Sequence, residues 1–241
     1  MKISDRLYKI YEQVNKDTSV ADIGTDHGYV PILLLQNNIS PYVIMSDISE
    51  KSLNKAIENF NSNCQDKRAY FRVGNGLNTL LPSEVDEIII AGIGGKLIID
   101  ILSNDINKTF SYKEFILQPR NNSGKLRNWL VINGFSIDKE VLAKEGKFVN
   151  EIIVASPFNQ IDKANSKFIP DSDDIRWEFP ETFRTCDHEL LKEKVNWKIN
   201  SILQEITNLK KSKIEENKLI NKLKGDIEYL NSLIIKYNIM I

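Results

Sequence analysis

Val20-Ala21-Asp22-Ile23-Gly24-Thr25-Asp26-His27-Gly28-Tyr29 joins a short apolar run to a helical one through a turn that holds two glycines. A glycine-bearing turn after the first strand of an open α/β sheet lets a ligand come close to the backbone. Gly24 and Gly28 are four residues apart and no G-x-G occurs in this turn, so this is not the dinucleotide fingerprint. Asp22 is unhelpful beside a pyrophosphate and suits a ligand with positive charge, such as a sulfonium or an amino group. An ordinary strand–helix turn has the same outline. Pro31 falls in the first turn of the next helix, where a missing N–H costs nothing.

Working outward, residues 4–14 read as an amphipathic helix capped by Ser4, with Leu7, Ile10, Tyr11 and Val14 on one face. Apolar strands are expected at 19–23, 42–46, 69–73, 86–91 and 114–118. Helices are expected at 28–37, 49–62 (opened by Ser49), near 95–103 and near 122–133. Strands at 135–143 and 148–155, separated by Glu145-Gly146-Lys147, form a hairpin. Alternation of buried strands with helices means a parallel sheet with helices on both faces, and an antiparallel hairpin suits its edge. Residues 156–175 read as linker, with Pro157, Asn159, Gln160 and Pro170.

From about residue 187 the pattern changes. Val195, Ile199, Ile202, Ile206 and Leu209 are spaced 4-3-4-3, and Ile220, Leu223, Ile227, Leu230 and Ile234 are spaced 3-4-3-4. Both are coiled-coil seams. One continuous helix would put Lys213 and Glu216 in the seam, so two antiparallel helices joined near 211–217 are expected. A single long dimerising helix is the alternative.

The chain has 241 residues and a formal net charge of −1, which excludes a uniformly basic nucleic-acid binder but not a local basic face. Two cysteines and two histidines cannot build a disulfide framework or a metal-rich centre, so a reducing, cytoplasmic setting without a metal is expected. Apolar runs reach only about five residues, against ~20 for a membrane span, so neither a membrane partner nor a signal peptide is expected.

Further strand ends carry polar or glycine-rich turns. Asp47 lies 23 residues past Gly24, where a carboxylate can accept both ribose hydroxyls of an adenosine ligand. It can equally cap the following helix. Gly74-Asn75-Gly76 resembles a turn built against a flat ligand, with Asn75 able to bond an adenine edge; a tight surface turn is the alternative. Ala91-Gly92-Ile93-Gly94-Gly95 leaves backbone exposed at the end of a central strand. The Asn/Asp-Pro-Pro-aromatic tetrapeptide that amino-nitrogen methylases often place there is absent. Gln118-Pro119-Arg120 points at the same crevice, with Arg120 either a phosphate contact or a solvated surface residue.

The stretch from Asp22 to Pro31, Ala91–Gly95 and Leu117-Gln118-Pro119, in this order and at these distances, resembles the bacterial TrmK family. These are tRNA (adenine-22-N1)-methyltransferases. Ser4-Asp5-Arg6-Leu7 resembles that family's opening, and the C-terminal helical pair resembles its coiled-coil domain. The resemblance implies a Rossmann-like class I methyltransferase domain over 1–158, a linker over 159–186 and an antiparallel coiled-coil hairpin over 187–241. It implies S-adenosylmethionine as cofactor, held by Asp22, Gly24, Asp47, Ile48, Asn75, Gly76, Ala91 and Gly92. The family more often has Asp where Asn75 stands.

The reaction so implied is attack of adenine N1 on the sulfonium methyl group. N1 is buried in Watson–Crick pairing, so the target must be unpaired or extruded. Asp26 is assigned to stabilise the charge or take the proton, or alternatively to hold the methionine amino group; His27 and Tyr29 position or stack the base. Substrate contacts are expected from Arg6, Gln118, Pro119 and Arg120. A basic face for tRNA draws on Arg6, Arg120, Lys125, Arg127, Lys144 and Lys147, and on Lys192, Lys194, Lys198, Lys210, Lys211 and Lys213 of the helical pair. A monomer is expected. A methyltransferase of the same architecture acting on a small molecule or protein, and a non-catalytic adenosine-ligand binder, are the rival readings.

Overall fold

In the computed structural model, which describes residues 3–64, 68–158, 171–211 and 217–237, the apolar runs become one seven-stranded sheet. The strands are β1 (Val20–Ile23), β2 (Val43–Asp47), β3 (Ala69–Val73), β4 (Glu87–Ile93), β5 (Glu114–Pro119), β6 (Phe135–Glu145) and β7 (Phe148–Pro157), in the order β3-β2-β1-β4-β5-β7-β6. The first five pair in parallel, while β7 runs antiparallel to both β5 and β6. The strand order reverses direction between β1 and β4. That is where an open α/β sheet leaves a crevice beyond the carboxyl ends of its strands.

The helices follow the periodicities. They are α1 (Asp5–Tyr11), α2 (Tyr29–Gln36), α3 (Glu50–Asn63), α4 (Gly95–Ser103), α5 (Ile106–Thr109), α6 (Ser123–Ile132) and α7 (Ile175–Glu178) in the first unit. Ser4 caps α1 by accepting from the Leu7 amide, and Ser49 caps α3 by accepting from the Ser52 amide. Alternate strand residues feed two separate cores. Ile10, Ile32, Leu34, Leu53, Ala56 and Phe60 meet Ile89 and Ile116 on one face. Ile98, Leu102, Leu126 and Leu130 meet Ile88, Ile90, Phe115 and Leu117 on the other. A period of two inside a doubly covered sheet requires this division.

Two local expectations are corrected, and one short helix that the sequence reading did not include is added. α1 ends at Tyr11, three residues early, because the chain turns to bury Val14. The short helix α5 is held by Asp105, whose carboxylate caps the Lys108 amide. Within the stretch read as linker, the described part is structured: α7 packs on α6, and Ile175, Phe179 and Phe183 are buried.

The chain divides into two units, 1–178 and 179–241. In the second, a 3-10 turn (Glu181–Thr185) precedes α8 (His188–Lys211) and α9 (Asn217–Lys236). Val195, Ile202 and Ile206 of α8 and Leu223, Leu230 and Ile234 of α9 are buried. The Tyr229 hydroxyl donates to the Phe179 carbonyl at 2.8 Å, and Lys236 pairs with Glu181 at 2.7 Å, so the end of α9 lies beside the segment that leads into α8. The expected turn, with Lys213, lies outside the described residues.

Candidate active site

β1 ends in a turn that only unusual backbone angles allow. Gly24, Asp26 and Gly28 have φ of 78°, 44° and 68°. The turn is tied to β2, because the amides of Gly24 and Thr25 both donate to the Ser46 carbonyl, at 2.8 and 3.0 Å. A Cβ on Gly28 would lie 2.9 Å from Met45 Sδ and 3.2 Å from Ala56 Cβ, so glycine is what lets the turn rest on α3.

Asp22 is buried below this turn. Its carboxylate accepts from the Thr25 hydroxyl at 2.7 Å. Burial pushes its pKa up to about 6, the Thr25 bond opposes that, and the charge of Asp47 adds to it. An acid buried without a cation gains most from a positively charged ligand. Asp47, at the end of β2, accepts from the amides of Ser49 at 2.8 Å and Asp26 at 3.4 Å. The helix cap is Ser49, so Asp47 braces both loops and keeps lone pairs toward the crevice.

Gly74-Asn75-Gly76 follows β3, and the Gly74 amide donates to the Asp47 carbonyl at 3.0 Å. Gly76 has φ of 53°, and a Cβ there would lie 3.1 Å from Ile101. β4 ends at Ala91-Gly92-Ile93, where the pairing with β5 slips by a residue and Gly92 takes a φ of 79°.

These strand ends line one cavity of about 540 Å³, into which Asp22, Gly24, Asp26, His27, Tyr29, Asp47, Ile48, Asn75, Gly76, Ala91 and Gly92 all open. Arg6 and Arg120 complete its rim. The Arg6 guanidinium is held by Glu145 at 2.9 Å and by Gln118 Oε1 at 2.9 Å. Arg120 makes no side-chain hydrogen bond or ion pair with the described residues, and its guanidinium comes within 4 Å of where a Gly92 Cβ would sit.

Two expected substrate contacts are corrected. Gln118 and Pro119 are buried and do not line the cavity. Gln118 Oε1 accepts from Arg6 and from the Gly92 amide at 3.1 Å, while its Nε2 donates to the Pro119 carbonyl. It shapes the rim from beneath. Arg127, expected on a basic face, has no exposure: it donates to Glu140 at 2.6 Å, to Glu151, and to the Trp177 carbonyl at 3.0 Å.

Sequence reasoning missed Lys55 and Asn59 on α3. Lys55 Nζ lies 3.0 Å from Asp26 Oδ1, and Asn59 reaches the carbonyl of His27. It also missed Leu97 and Ile101, which line the cavity from α4. Their signal was the glycine run at 92–95, since a helix opening there turns its first apolar residues to the crevice.

A family model described as a methyltransferase domain matches residues 3–153. The chain belongs to the methyltransferase-domain family. A tRNA (adenine(22)-N(1))-methyltransferase of Bacillus subtilis is 30% identical over 155 residues, 64% of this chain and 65% of that protein. The aligned stretch covers less than two thirds of the length of this and the other curated relatives it matches. A solved structure from Streptococcus agalactiae, described as a protein of the NADB-Rossmann superfamily, has a TM-score of 0.81 and 28% identity. It covers 95% of this chain and 97% of its own. A Streptococcus pneumoniae putative tRNA (m1A22) methyltransferase, in complex with S-adenosyl-L-methionine, has a TM-score of 0.74 and 26% identity, covering 94% of this chain and 100% of its own. The likeness read from the motifs is borne out by these relatives.

No helix among the described residues is long and apolar enough to cross a membrane. No cluster of His, Cys, Asp and Glu among them could hold a metal ion.

Proposed function

We propose that the protein transfers a methyl group from S-adenosylmethionine to N1 of an adenine in tRNA, at position 22. The observation that carries the reading is the meeting of the strand-end loops at 22–29, 47–48, 74–76 and 91–93 in one cavity. The donor set fits the cofactor. Asp22 is a buried acid with no cation beside it among the described residues, suited to the methionine ammonium group. Asp47 keeps acceptors for ribose hydroxyls, and Asn75 lies at a glycine turn beside Ile101, in a cavity that Ile48 and Leu97 also line, suited to a flat base. Gly24 and Gly92 let the ligand approach the backbone, since a Cβ at Gly24 would meet nothing within 4 Å.

Bound S-adenosylmethionine supplies an electrophilic methyl group whose leaving thioether is neutral, so the reaction asks for alignment and no metal. Alignment alone is worth about 7–11 kcal/mol. His27 and Tyr29 stack face to face, with ring centroids 5.3 Å apart and planes 6° apart, and offer a flat surface for an extruded base. Asp26 is an acceptor-only carboxylate beside them. It favours a base edge that presents an N–H, as the adenine amine does, and it stabilises the positive charge that develops on the ring. Arg6 and Arg120 at the rim hold a phosphate of the RNA backbone, with Gln118 and Glu145 fixing Arg6.

The catalytic domain in this reading spans 1–158, followed by a connecting segment over 159–186. Residues 187–241 form an antiparallel coiled-coil hairpin. The support is the pair of apolar seams on α8 and α9 and the return of α9 to Phe179 and Glu181. The protein works as a cytoplasmic monomer on tRNA. The test is incubation of purified protein with labelled S-adenosylmethionine and unmodified tRNA, then nucleoside mass analysis. 1-Methyladenosine is expected. A guanosine or cytidine product discards the adenine assignment, and label that survives ribonuclease treatment discards RNA as substrate.

A further inference from the structure

Two α3 side chains have no part in lining the cavity, yet both reach the turn that does. Lys55 and Asn59 are four residues apart and therefore share a face of the helix. Between them Ala56, fully buried, lies against Gly28, so helix and turn touch where neither has a bulky side chain. On either side of that contact the two polar chains bond upward. Lys55 Nζ sits 3.0 Å from Asp26 Oδ1. Asn59 Nδ2 donates to the His27 carbonyl at 3.0 Å, and the same amide group lies 3.5 Å from His27 Nδ1.

That carbonyl settles which way the Asn59 amide faces, because a carbonyl oxygen only accepts. The group facing His27 Nδ1 is then an NH₂ donor. Nδ1 must be the bare nitrogen, and the ring proton sits on Nε2. Nε2 lies 3.4 Å from Asp26 Oδ2, which puts the protonated ring nitrogen on the carboxylate side of the ring at ion-pair distance, without a hydrogen bond between them. Lys55 is thus the side chain that bonds Asp26, on Oδ1, while the His27 ring lies near Oδ2, and both oxygens keep further acceptor capacity. Asp26 takes a left-handed backbone conformation, with φ of 44°, which is uncommon outside glycine although aspartate tolerates it better than most residues.

We infer that Lys55 and Asn59 are positioning residues: Asn59 fixes the Nε2–H tautomer of His27, and Lys55 fixes the Asp26 carboxylate that faces the substrate base. The tautomer and the contacts stand on geometry alone. Their consequence for methyl transfer rests on the adenine-N1 reading.

The chain has two histidines, so long-range ¹H–¹⁵N correlation spectra of the full-length protein report His27 directly, with a His188→Gln variant giving the assignment. Near-neutral pH spectra are expected to show a pyridine-like Nδ1 and a pyrrole-like Nε2. Asn59→Leu is expected to mix the two tautomers, and Asn59→Ala is the second variant should the first fold poorly. A protonated Nδ1 in the unsubstituted protein, or an unchanged tautomer in a folded Asn59 variant, overturns the inference for Asn59.

Lys55→Met is expected to lower kcat for methyl transfer roughly 10²-fold through misplacement of Asp26, with the Kd for S-adenosylmethionine unchanged and Lys55→Arg restoring most of the rate. An unchanged kcat overturns the role of Lys55, as does an equal loss in the Arg variant. If tRNA is not methylated at adenine N1 while His27 shows the expected tautomer, the adenine reading fails and the positioning geometry stands.

Discussion

Carboxylates buried wholly or in part sit at both ends of the sheet, and the two ends treat them differently. At the carboxyl ends of the strands, Asp22 opens to a cavity and has a hydroxyl but, among the described residues, no cation beside it. At the opposite edge, Glu87 and Glu114 are register partners in β4 and β5. Asn15 bridges them, donating from Nδ2 to Glu87 at 2.8 Å and to Glu114 at 2.9 Å. Burial raises the pKa of all three acids, but of the three only Asp22 lines the cavity of about 540 Å³. An unneutralised charge beside a cavity is held ready for a partner, whereas the same charge beneath a side-chain bridge is a cost of closing the fold. A third arrangement lies between β6, β7 and α6, where Arg127 neutralises Glu140 and Glu151 within the protein.

The largest effect is expected in that third arrangement. Arg127→Leu leaves two carboxylates buried without their guanidinium, and a loss of about 3–5 kcal/mol is expected from denaturant unfolding. Replacing Arg127, Glu140 and Glu151 together by apolar residues of similar volume is expected to recover most of it. If the single variant unfolds like the parent, internal pairing is not what separates this region from the cavity.

Next comes Asp22→Asn, where two observables move in opposite directions. Loss of the acid is expected to weaken S-adenosylmethionine binding by roughly 10²-fold, read by calorimetry. Stability is expected to rise. The folded-state pKa is about 6 against an ordinary 3.8, so the native acid loses stability as pH climbs through that window, and the amide does not. A variant that binds the cofactor as the parent does would place Asp22 in the same class as Glu114.

Arg120→Ala bears on the rim alone. A several-fold rise in KM for tRNA is expected, with the slope of log affinity against log salt reduced by about 1 and cofactor binding unchanged. An unchanged salt slope removes Arg120 from the RNA contact.

The sheet was legible because buried parallel strands advertise themselves as apolar runs, and the hairpin because Glu145-Gly146-Lys147 interrupts one. Glycine and acid at strand ends marked Asp22, Gly24, Asp47 and Gly92, since the backbone there must do what other residues resist. Burial of a charged or polar side chain left no such mark. Arg127 reads in sequence like Arg120, and Gln118 like an exposed polar residue, because their surroundings come from strands and helices far along the chain. Lys55 and Asn59 were invisible for the same reason: they meet Asp26 and His27 only once Gly28 rests on Ala56.

The smallest effect closes the comparison from the other end. Glu114 titrates near 7 because burial and the charges of Glu87 and Asp138 oppose its ionisation, against Asn15 and Lys139, which favour it. Its raised folded pKa means the folded state holds a proton that the unfolded chain releases near 4.5, so stability falls as pH rises from 4.5 through about 7. Glu114→Gln keeps the shape and an oxygen for the Asn15 amide, and removes the charge. Discounted for solvent screening, a gain of no more than about 1 kcal/mol is expected at pH 8. That gain should vanish on acidification below the ordinary carboxylate range. Cofactor affinity and kcat are expected to be unchanged, because no part of the cavity touches this edge. Thermal unfolding at two pH values, beside one activity assay, checks both halves. A fall in cofactor affinity in this variant would mean that the two ends of the sheet are coupled, and that the contrast between an acid kept for a ligand and an acid merely enclosed does not hold.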